Sequence, residues 1–286
     1  MNSKPTIMEQ LRMADEGRYA IPHFNYSDIW DMTAIVRAAE EERSPVILAG
    51  VQKVTDAIGM PMVGAMGRVM METAKVPVYH HLDHSTNISL CRQAVDEKFP
   101  MVMIDGSRES LARNIEMTRE VAQYAHAHGA YVEGEIGKIK GSNVEGSFDG
   151  GDFLVRVDEA VELVESSGVD ILAVGIGTAH GFYQGKPELN FERLRQVNEA
   201  IDIPLVLHGG TGIPQEDVRE AIRLGVNKVN VGTIIKYVYL SNVQKMLNEN
   251  PKGPSIHTID LMLPAVEAIK AEVKRWIRVC MSNGKA

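Results

Sequence analysis

Short, mostly apolar runs recur along the chain, separated by longer segments whose apolar residues fall three and four positions apart. The first pattern fits strands buried on both faces; the second fits helices packed by one face. The strand-like runs are Tyr19–Phe24, Pro45–Ala49, Val78–Leu82, Met101–Ile104, Tyr131–Ile136, Ile171–Val174, Leu205–Leu207 and Lys228–Val231. Helical spacing covers Thr6–Glu16, Ile29–Glu41, Ala57–Thr73, Ile88–Glu97, Leu111–His128, Val157–Ser167, Phe191–Ile201 and Pro214–Leu224, and helices fill much of the remainder. The methionines between 57 and 73 fit adaptable core packing better than metal ligation. Alternation of this kind predicts a parallel sheet. Eight units predict an α/β fold, a single (β/α)8 TIM barrel with a C-terminal helical extension, and no linker or composition shift divides residues 1–286. An open doubly wound sheet is the competitor. It usually carries a glycine-rich phosphate fingerprint after its first strand, and Pro22-His23-Phe24-Asn25 is not one.

The segment from Lys138 to Phe153 breaks the pattern. Gly141, Gly146, Gly150 and Gly151 alternate there with Ser, Asn, Asp and Glu and show little periodicity. That composition predicts a mobile loop, and long loops within compact domains tend to be functional.

In a barrel the active site lies at the C-terminal strand ends. Asn25, Asp83, His84, Asp105, Glu135, His180, His208 and Asn230 stand at or just beyond those ends, on seven different strands. Three neutral imidazoles with an open fourth position make a catalytic zinc site, able to polarise a carbonyl or activate water. Taken singly, each histidine also fits a hydrogen-bonded structural role. His81 shares a strand face with Asp83 by alternation and could orient it, while His80 points the other way. Asp83 and His84 are consecutive, so both can serve one site only if the strand stops at or before Asp83.

Glycine-rich turns follow the last two strands, at His208-Gly209-Gly210-Thr211-Gly212 and Asn230-Val231-Gly232-Thr233. Such loops are a frequent phosphate site in barrels, because their backbone N–H groups and a helix N-terminus face the anion. A metal that polarises a ketone beside a phosphate anchor, with Asp83 moving a hydroxyl proton, describes a retro-aldol cut.

Bulk properties narrow the class further. The 286 residues are 44% hydrophobic and 24% charged, enough for a sizeable core. A net charge of −8 gives no electrostatic case for nucleic acid or an anionic membrane. Two cysteines, Cys91 and Cys280, argue against a disulfide scaffold. With no apolar signal core near Met1 and no apolar run long enough to span a bilayer, a cytoplasmic location is expected.

The motifs resemble those of the zinc-dependent class II ketose-bisphosphate aldolases, particularly the shorter fructose- and tagatose-bisphosphate enzymes. The resemblance runs nearly the whole chain. It rests on Tyr-Ala-Ile-x-x-Phe-Asn at 19–25, Ser-Pro-Val-Ile-Leu at 44–48, His-Leu-Asp-His at 81–84 and Met-Ile-Asp-Gly-Ser at 103–107. It continues with Val-Glu-Gly-Glu-Ile-Gly at 132–137, Gly-Thr-Ala-His-Gly at 177–181, Leu-His-Gly-Gly-Thr-Gly at 207–212, Lys-Val-Asn-Val at 228–231 and the closing Ser-Asn-Gly-Lys-Ala. It implies one catalytic Zn2+ on His84, His180 and His208, with Asp83 as the proton donor and acceptor. Asp105 and Glu135 match positions that can contact an alternative metal position. Gly181, Gly209, Gly210, Thr211, Asn230, Val231, Gly232 and Thr233 would hold dihydroxyacetone phosphate, with a monovalent cation (Na+ or K+) near the phosphate. A homodimer or homotetramer is implied as well.

Three departures stand beside these matches. The family's loop usually carries an acidic pair after Gly-Gly, one glutamate moving the enediolate proton; here the run is Lys140-Gly141-Ser142-Asn143-Val144-Glu145, which leaves Asn143 or a shifted Glu145. The lysine common after His-Gly-x-Tyr is Gln184, with Lys186 two residues later. The arginine expected to bind a distal phosphate falls near Ile259, and no arginine lies between Arg223 and Arg275. The aldehyde half of the substrate therefore need not carry a phosphate at its far end. Two other functions share the residues: a metal-dependent hydrolase on the same barrel, and a non-catalytic partner subunit of an aldolase complex. The hydrolase typically shows a His-x-His pair on its first strand, absent here, and a partner subunit need not keep Asp83 with all three histidines.

Overall fold

The computed structural model of the protein describes residues 4–137, 139–140, 147–148, 153–183, 185, 187–250 and 257–286. Eight parallel strands close into a barrel: β1 (Ile21–Asn25), β2 (Val46–Val51), β3 (Val78–Ser85), β4 (Met101–Ile104), β5 (Tyr131–Ile136), β8 (Ile171–Val174), β9 (Leu205–Leu207) and β10 (Val226–Val231). β6 (Ile139–Lys140) and β7 (Ser147–Phe148) form a separate two-stranded pair. The barrel order is β1-β10-β9-β8-β5-β4-β3-β2, with β2 returning to β1.

Alternation along the strands divides their side chains between two environments. Phe24, Leu48, Leu82, Val102, Leu172, Leu205 and Val229 belong to the large cluster shared with the surrounding helices. Ile21, Ile47, Tyr79, Met101, Ile171, Ala173 and Val206 form a second cluster, which Ile7, Leu11 and Ala14 of helix α1 (Ile7–Glu16) complete. The amphipathic opening segment is thus the plug of the barrel's N-terminal end. A Thr6/Glu9 capping box starts it, and the Tyr79 hydroxyl donates to the Pro5 carbonyl at 2.9 Å.

Helices α2 (Ile29–Glu42), α3 (Gln52–Ile58) and α4 (Met60–Thr73) follow β1 and β2. The sequence pattern predicts one helix over Ala57–Thr73, which covers α4 and only the last two residues of α3. Gly59, at φ 90°, separates the two helices, and Gln52 to Asp56 show no apolar period from which α3 could be foreseen. Met60 is buried while Met62 is exposed, so core packing holds for only part of the methionine-rich segment. Further round the barrel come α5 (Ile88–Asp96), α6 (Leu111–Ala127), α7 (Val157–Ser167), α8 (Phe191–Ala200), α9 (Gln215–Arg223) and α10 (Thr233–Glu249). The C-terminal extension is α11 (Thr258–Val279), whose Val266, Ile269, Val273 and Trp276 join the outer cluster. Among the described residues no helix is long and apolar enough to cross a membrane.

One prediction about β3 fails. The strand does not stop at Asp83: it pairs with β2 through Val51↔Asp83 and runs to Ser85. Alternation is interrupted instead by a bulge against β4. Leu82 pairs with Val102 and Ser85 with Ile104, so three steps on β3 match two on β4. The extra residue kinks the strand, and His84 takes φ 49°, a left-handed conformation rare for a non-glycine residue. That local break lets two consecutive side chains enter one site.

Candidate active site

Inside the barrel the layers turn from apolar to polar toward the C-terminal end. Above Ile21, Tyr79 and Ile171 stand His23, His81, Glu133 and Lys228, all fully buried. Above these come Asn25, Asp83, Glu135 and Asn230. His84, His180 and His208 then meet at the rim, their ligand nitrogens all within 4.8 Å of one another.

The partners of each ring decide what these imidazoles can do. His84 Nδ1 lies 3.1 Å from an Asp105 carboxylate oxygen, and His208 Nε2 lies 3.1 Å from Glu133 Oε1. Each carboxylate takes an N–H of its ring, which leaves His84 Nε2 and His208 Nδ1 facing each other at 2.9 Å, within hydrogen-bond reach. His208 Nε2 is also 3.1 Å from the Asn230 amide nitrogen, but the charged carboxylate is the stronger partner. His180 Nδ1 is buried without a hydrogen-bond partner. Two facing ring nitrogens and one orphaned nitrogen fit a cation of the zinc class, and the carboxylates behind the rings are the usual orienting partners of metal-bound histidines.

The electrostatics agree. Burial first, then the nearby His84 charge, hold His180 and His208 well below the usual imidazole range. Both are therefore neutral, as ligation requires. Burial also pushes His84 down, but the charge of Asp83 and the hydrogen bond to Asp105 reverse this and raise it to about 10. On the protein's own groups, the site's attraction for one positive charge falls on His84.

Burial opposes the charge on Asp83, yet the imidazoles around it, His84 foremost, hold it well below the usual carboxylate range. Asn25 Nδ2 donates to Asp83 Oδ2 at 2.8 Å, while Oδ1 has no partner. The result is a fixed, ionised carboxylate with one oxygen free to accept a proton. His81 does not orient it as alternation suggests: its Nε2 lies 3.8 Å from Glu133, and Asn25 performs the positioning. His80 faces outward, against Tyr26 at 2.6 Å and the ring of Phe99. Burial, then the charge on Asp105, raise Glu135 well above the usual carboxylate range. Glu135 Oε2 lies 3.8 Å from both His84 Nδ1 and His208 Nδ1.

A cavity of 390 Å³ opens over these groups, lined among others by Asn25, Asp83, the three histidines, Gly181, Gly209, Gly210, Thr211, Asn230, Gly232 and Thr233. Val231 is not in the lining, because its side chain points outward into the helix-facing core. Gly209 at φ 69° passes so close to the Ala179 carbonyl that a Cβ would stand 2.3 Å from its oxygen, which only glycine avoids. The Tyr183 hydroxyl ties the two loops, accepting from Ala179 N at 2.8 Å and donating to the Gly209 carbonyl at 3.1 Å. Thr211 Oγ1 accepts from Ile234 N at 3.3 Å, which docks the β9 loop on the first turn of α10. Glu145 and Lys186 lie outside the described residues, as does much of the segment 138–153. Four charged residues near the site do not stand out in the sequence: Glu133 and Lys228 below the histidines, Lys53 and Lys236 in the cavity wall. The signal for Glu133 was its two-residue spacing from Glu135, and for Lys228 a charge inside an apolar strand.

Comparison with known proteins gives the family. The family described as "Fructose-bisphosphate aldolase class-II" matches residues 5–285. The "6-phospho-5-dehydro-2-deoxy-D-gluconate aldolase" of Bacillus velezensis is 39% identical over 286 residues, 98% of this chain and 97% of that one. The "Fructose-bisphosphate aldolase" of Geobacillus stearothermophilus is 38% identical, covering 98% of each. Among solved structures, the YdjI aldolase from Escherichia coli K12 superposes with a TM-score of 0.85 at 30% identity, over 99% of this chain and 100% of that one. Match along nearly the full length, on a barrel whose rim carries the imidazoles and the buried aspartate, makes the protein an aldolase and places the chain in the class II fructose-bisphosphate aldolase family.

Proposed function

We propose that the protein reversibly cleaves a ketose phosphate, its ketone beside the phosphate-bearing carbon, to dihydroxyacetone phosphate and an aldehyde. The observation that carries this reading is the convergence of His84 Nε2 and His208 Nδ1, 2.9 Å apart, beside the ionised Asp83. His84, His180 and His208 would hold a divalent cation of the zinc class, with Asp105 and Glu135 near enough to His84 to offer a second position. Such an ion, when bound, supplies Lewis acidity that polarises the ketone.

The remaining steps belong to the chain. Gly181, the β9 loop at Gly209–Thr211 and the β10 loop at Asn230–Thr233 bind the phosphate through backbone N–H groups and the start of α10. Asp83 Oδ1 takes the proton from the hydroxyl on the far side of the scissile bond. As that oxygen forms the aldehyde carbonyl, the electron pair of the broken C–C bond passes to the carbon beside the ketone. In the reverse direction Asp83 returns the proton. Asn25 keeps the carboxylate aimed throughout.

Both named relatives support the substrate class. The Geobacillus protein's name gives a bisphosphate, whereas the Bacillus protein's name gives a phosphate beside a ketone and a carboxylate at the other end. The second pattern agrees with the missing arginine near Ile259. Residues 1–286 would act as one domain. Exposed Tyr237, Leu240, Ile259 and Leu263 on α10 and α11 support a homo-oligomer.

Chelation followed by readdition of zinc tests the metal, and Asp83→Asn tests the base. Cleavage should vanish with chelator and return with zinc. The variant should keep its bound zinc but turn over roughly 10²–10⁴ times more slowly, the usual worth of a positioned acid/base. Phosphate release in place of dihydroxyacetone phosphate would point to hydrolysis and sink the proposal.

A further inference from the structure

Two of the three rim imidazoles are held in the same way. His84 lies within β3 and has an Asp105 oxygen 3.1 Å from Nδ1, while His208 directly follows β9 and has a Glu133 oxygen 3.1 Å from Nε2. His180 has neither support. It stands in a loop well beyond Val174, the last residue of β8. Its Nδ1 is buried without a partner, and among the described residues no carboxylate pairs with its ring. Gly181, the next residue, sits at φ 90° with nothing within 4 Å of where a Cβ would be, so no packing fixes the chain on that side.

The preceding residue supplies what the ring lacks. Ala179 N donates to the Tyr183 hydroxyl at 2.8 Å, and the Ala179 carbonyl lies against Gly209, where a Cβ would stand 2.3 Å from the oxygen. The same hydroxyl donates to the Gly209 carbonyl at 3.1 Å, and Gly209 follows His208 directly. One phenol thus ties the residue before His180 to the residue after His208. Its ring rests on Gly212, where a Cβ would meet Tyr183 Cδ2 at 2.9 Å. Ligand distances in a metal site hold to about 0.2 Å, so drift of the backbone at Ala179 would carry the neighbouring ring out of reach.

We propose that Tyr183 is the positioning residue of His180, holding through the backbone the one metal ligand that no carboxylate orients. The inference rests on the cation assigned above to His84, His180 and His208.

The experiment measures zinc affinity, by competition with a chelating dye, in the wild type, Tyr183→Phe, His180→Ala and the double variant. Phenylalanine keeps the ring on Gly212 and removes only the hydroxyl. It should weaken zinc binding by roughly 10- to 100-fold, the usual cost of losing a group that orients a metal ligand. In the His180→Ala background the same change should cost no more than about twofold, the scatter expected of sites that do not interact, because the ligand that Tyr183 positions is gone. A second readout involves no metal: in the zinc-free protein the Ala179 amide should exchange its hydrogen faster in Tyr183→Phe than in the wild type. An unchanged zinc affinity, an equal loss in both backgrounds, or unaltered exchange at Ala179 would overturn the assignment while leaving the metal reading intact. A wild type with no affinity for zinc would overturn both.

Discussion

Glu133 joins two functions in one buried carboxylate. Oε1 lies 3.1 Å from His208 Nε2 and accepts from Lys228 Nζ at 3.1 Å, the ammonium is paired with Oε2 at 2.8 Å, and it also donates to Asn230 Oδ1 at 2.8 Å. Both members of the ion pair are fully buried, so neither can be rescued by water. Truncating one partner leaves an uncompensated charge, which costs about 3–5 kcal/mol, whereas removing both is far milder. Lys228→Met alone should therefore destabilise the protein strongly, and Glu133→Gln with Lys228→Met should recover most of the loss in denaturant titrations. Glu133→Gln should also loosen the ring of His208 and weaken zinc binding by roughly 10- to 100-fold, as read by competition with a chelating dye. Additive effects in the double variant would break this account. Neither residue is conspicuous in the sequence, since 95 positions separate them and each sits inside a strand.

At the scale of elements, the strands carry chemistry on one side and packing on the other, and β3 shows the division most sharply. Its inward side chains include His81 and Asp83. Outward, His80 fills the space between β3 and α4, where a Cβ on Gly67 would meet the His80 ring at 2.0 Å from Nδ1. Gly67 is thus a contact requirement of helix on strand and not a flexible joint. Gly67→Ala should force α4 away from the barrel and cost about 1–3 kcal/mol, the usual penalty of overpacking. A shifted denaturation midpoint would register it, and an unchanged midpoint would mean that α4 slides freely. The bulge in β3 belongs to the same scale. Its effect, two consecutive side chains in one site, can be demanded from the sequence once Asp83 and His84 are both required, but its form cannot. A strand end and a bulge satisfy that demand equally, and the pairing of Ser85 with Ile104 selects the bulge.

For the whole molecule, closing the barrel buries histidines that would titrate freely in the unfolded chain. Burial, with the Arg68 charge adding to it, pushes His80 down to about 3. Its folded value lies below its unfolded value of about 6.5. The unfolded state therefore binds more protons between these limits, and stability falls as pH drops from about 6.5 toward 3. The slope that His80 adds is on the order of 1.4 kcal/mol per pH unit. Comparing the wild type with His80→Asn by urea unfolding at several pH values should show that slope as their difference, with parallel curves above pH 7. Parallel curves throughout would mean that the neutral ring is not held by burial.

The sequence alone determined the barrel, because eight buried runs alternating with amphipathic segments admit few other arrangements. It also determined which polar residues reach the rim, since position along a strand sets height in the barrel. The gap between α3 and α4 was not legible, for it depends on one glycine and on a helix without apolar period. Neither was the support beneath the histidines. A histidine's place at a strand end is a local signal, but the carboxylates that select each tautomer come from other strands and meet the rings only when the sheet closes.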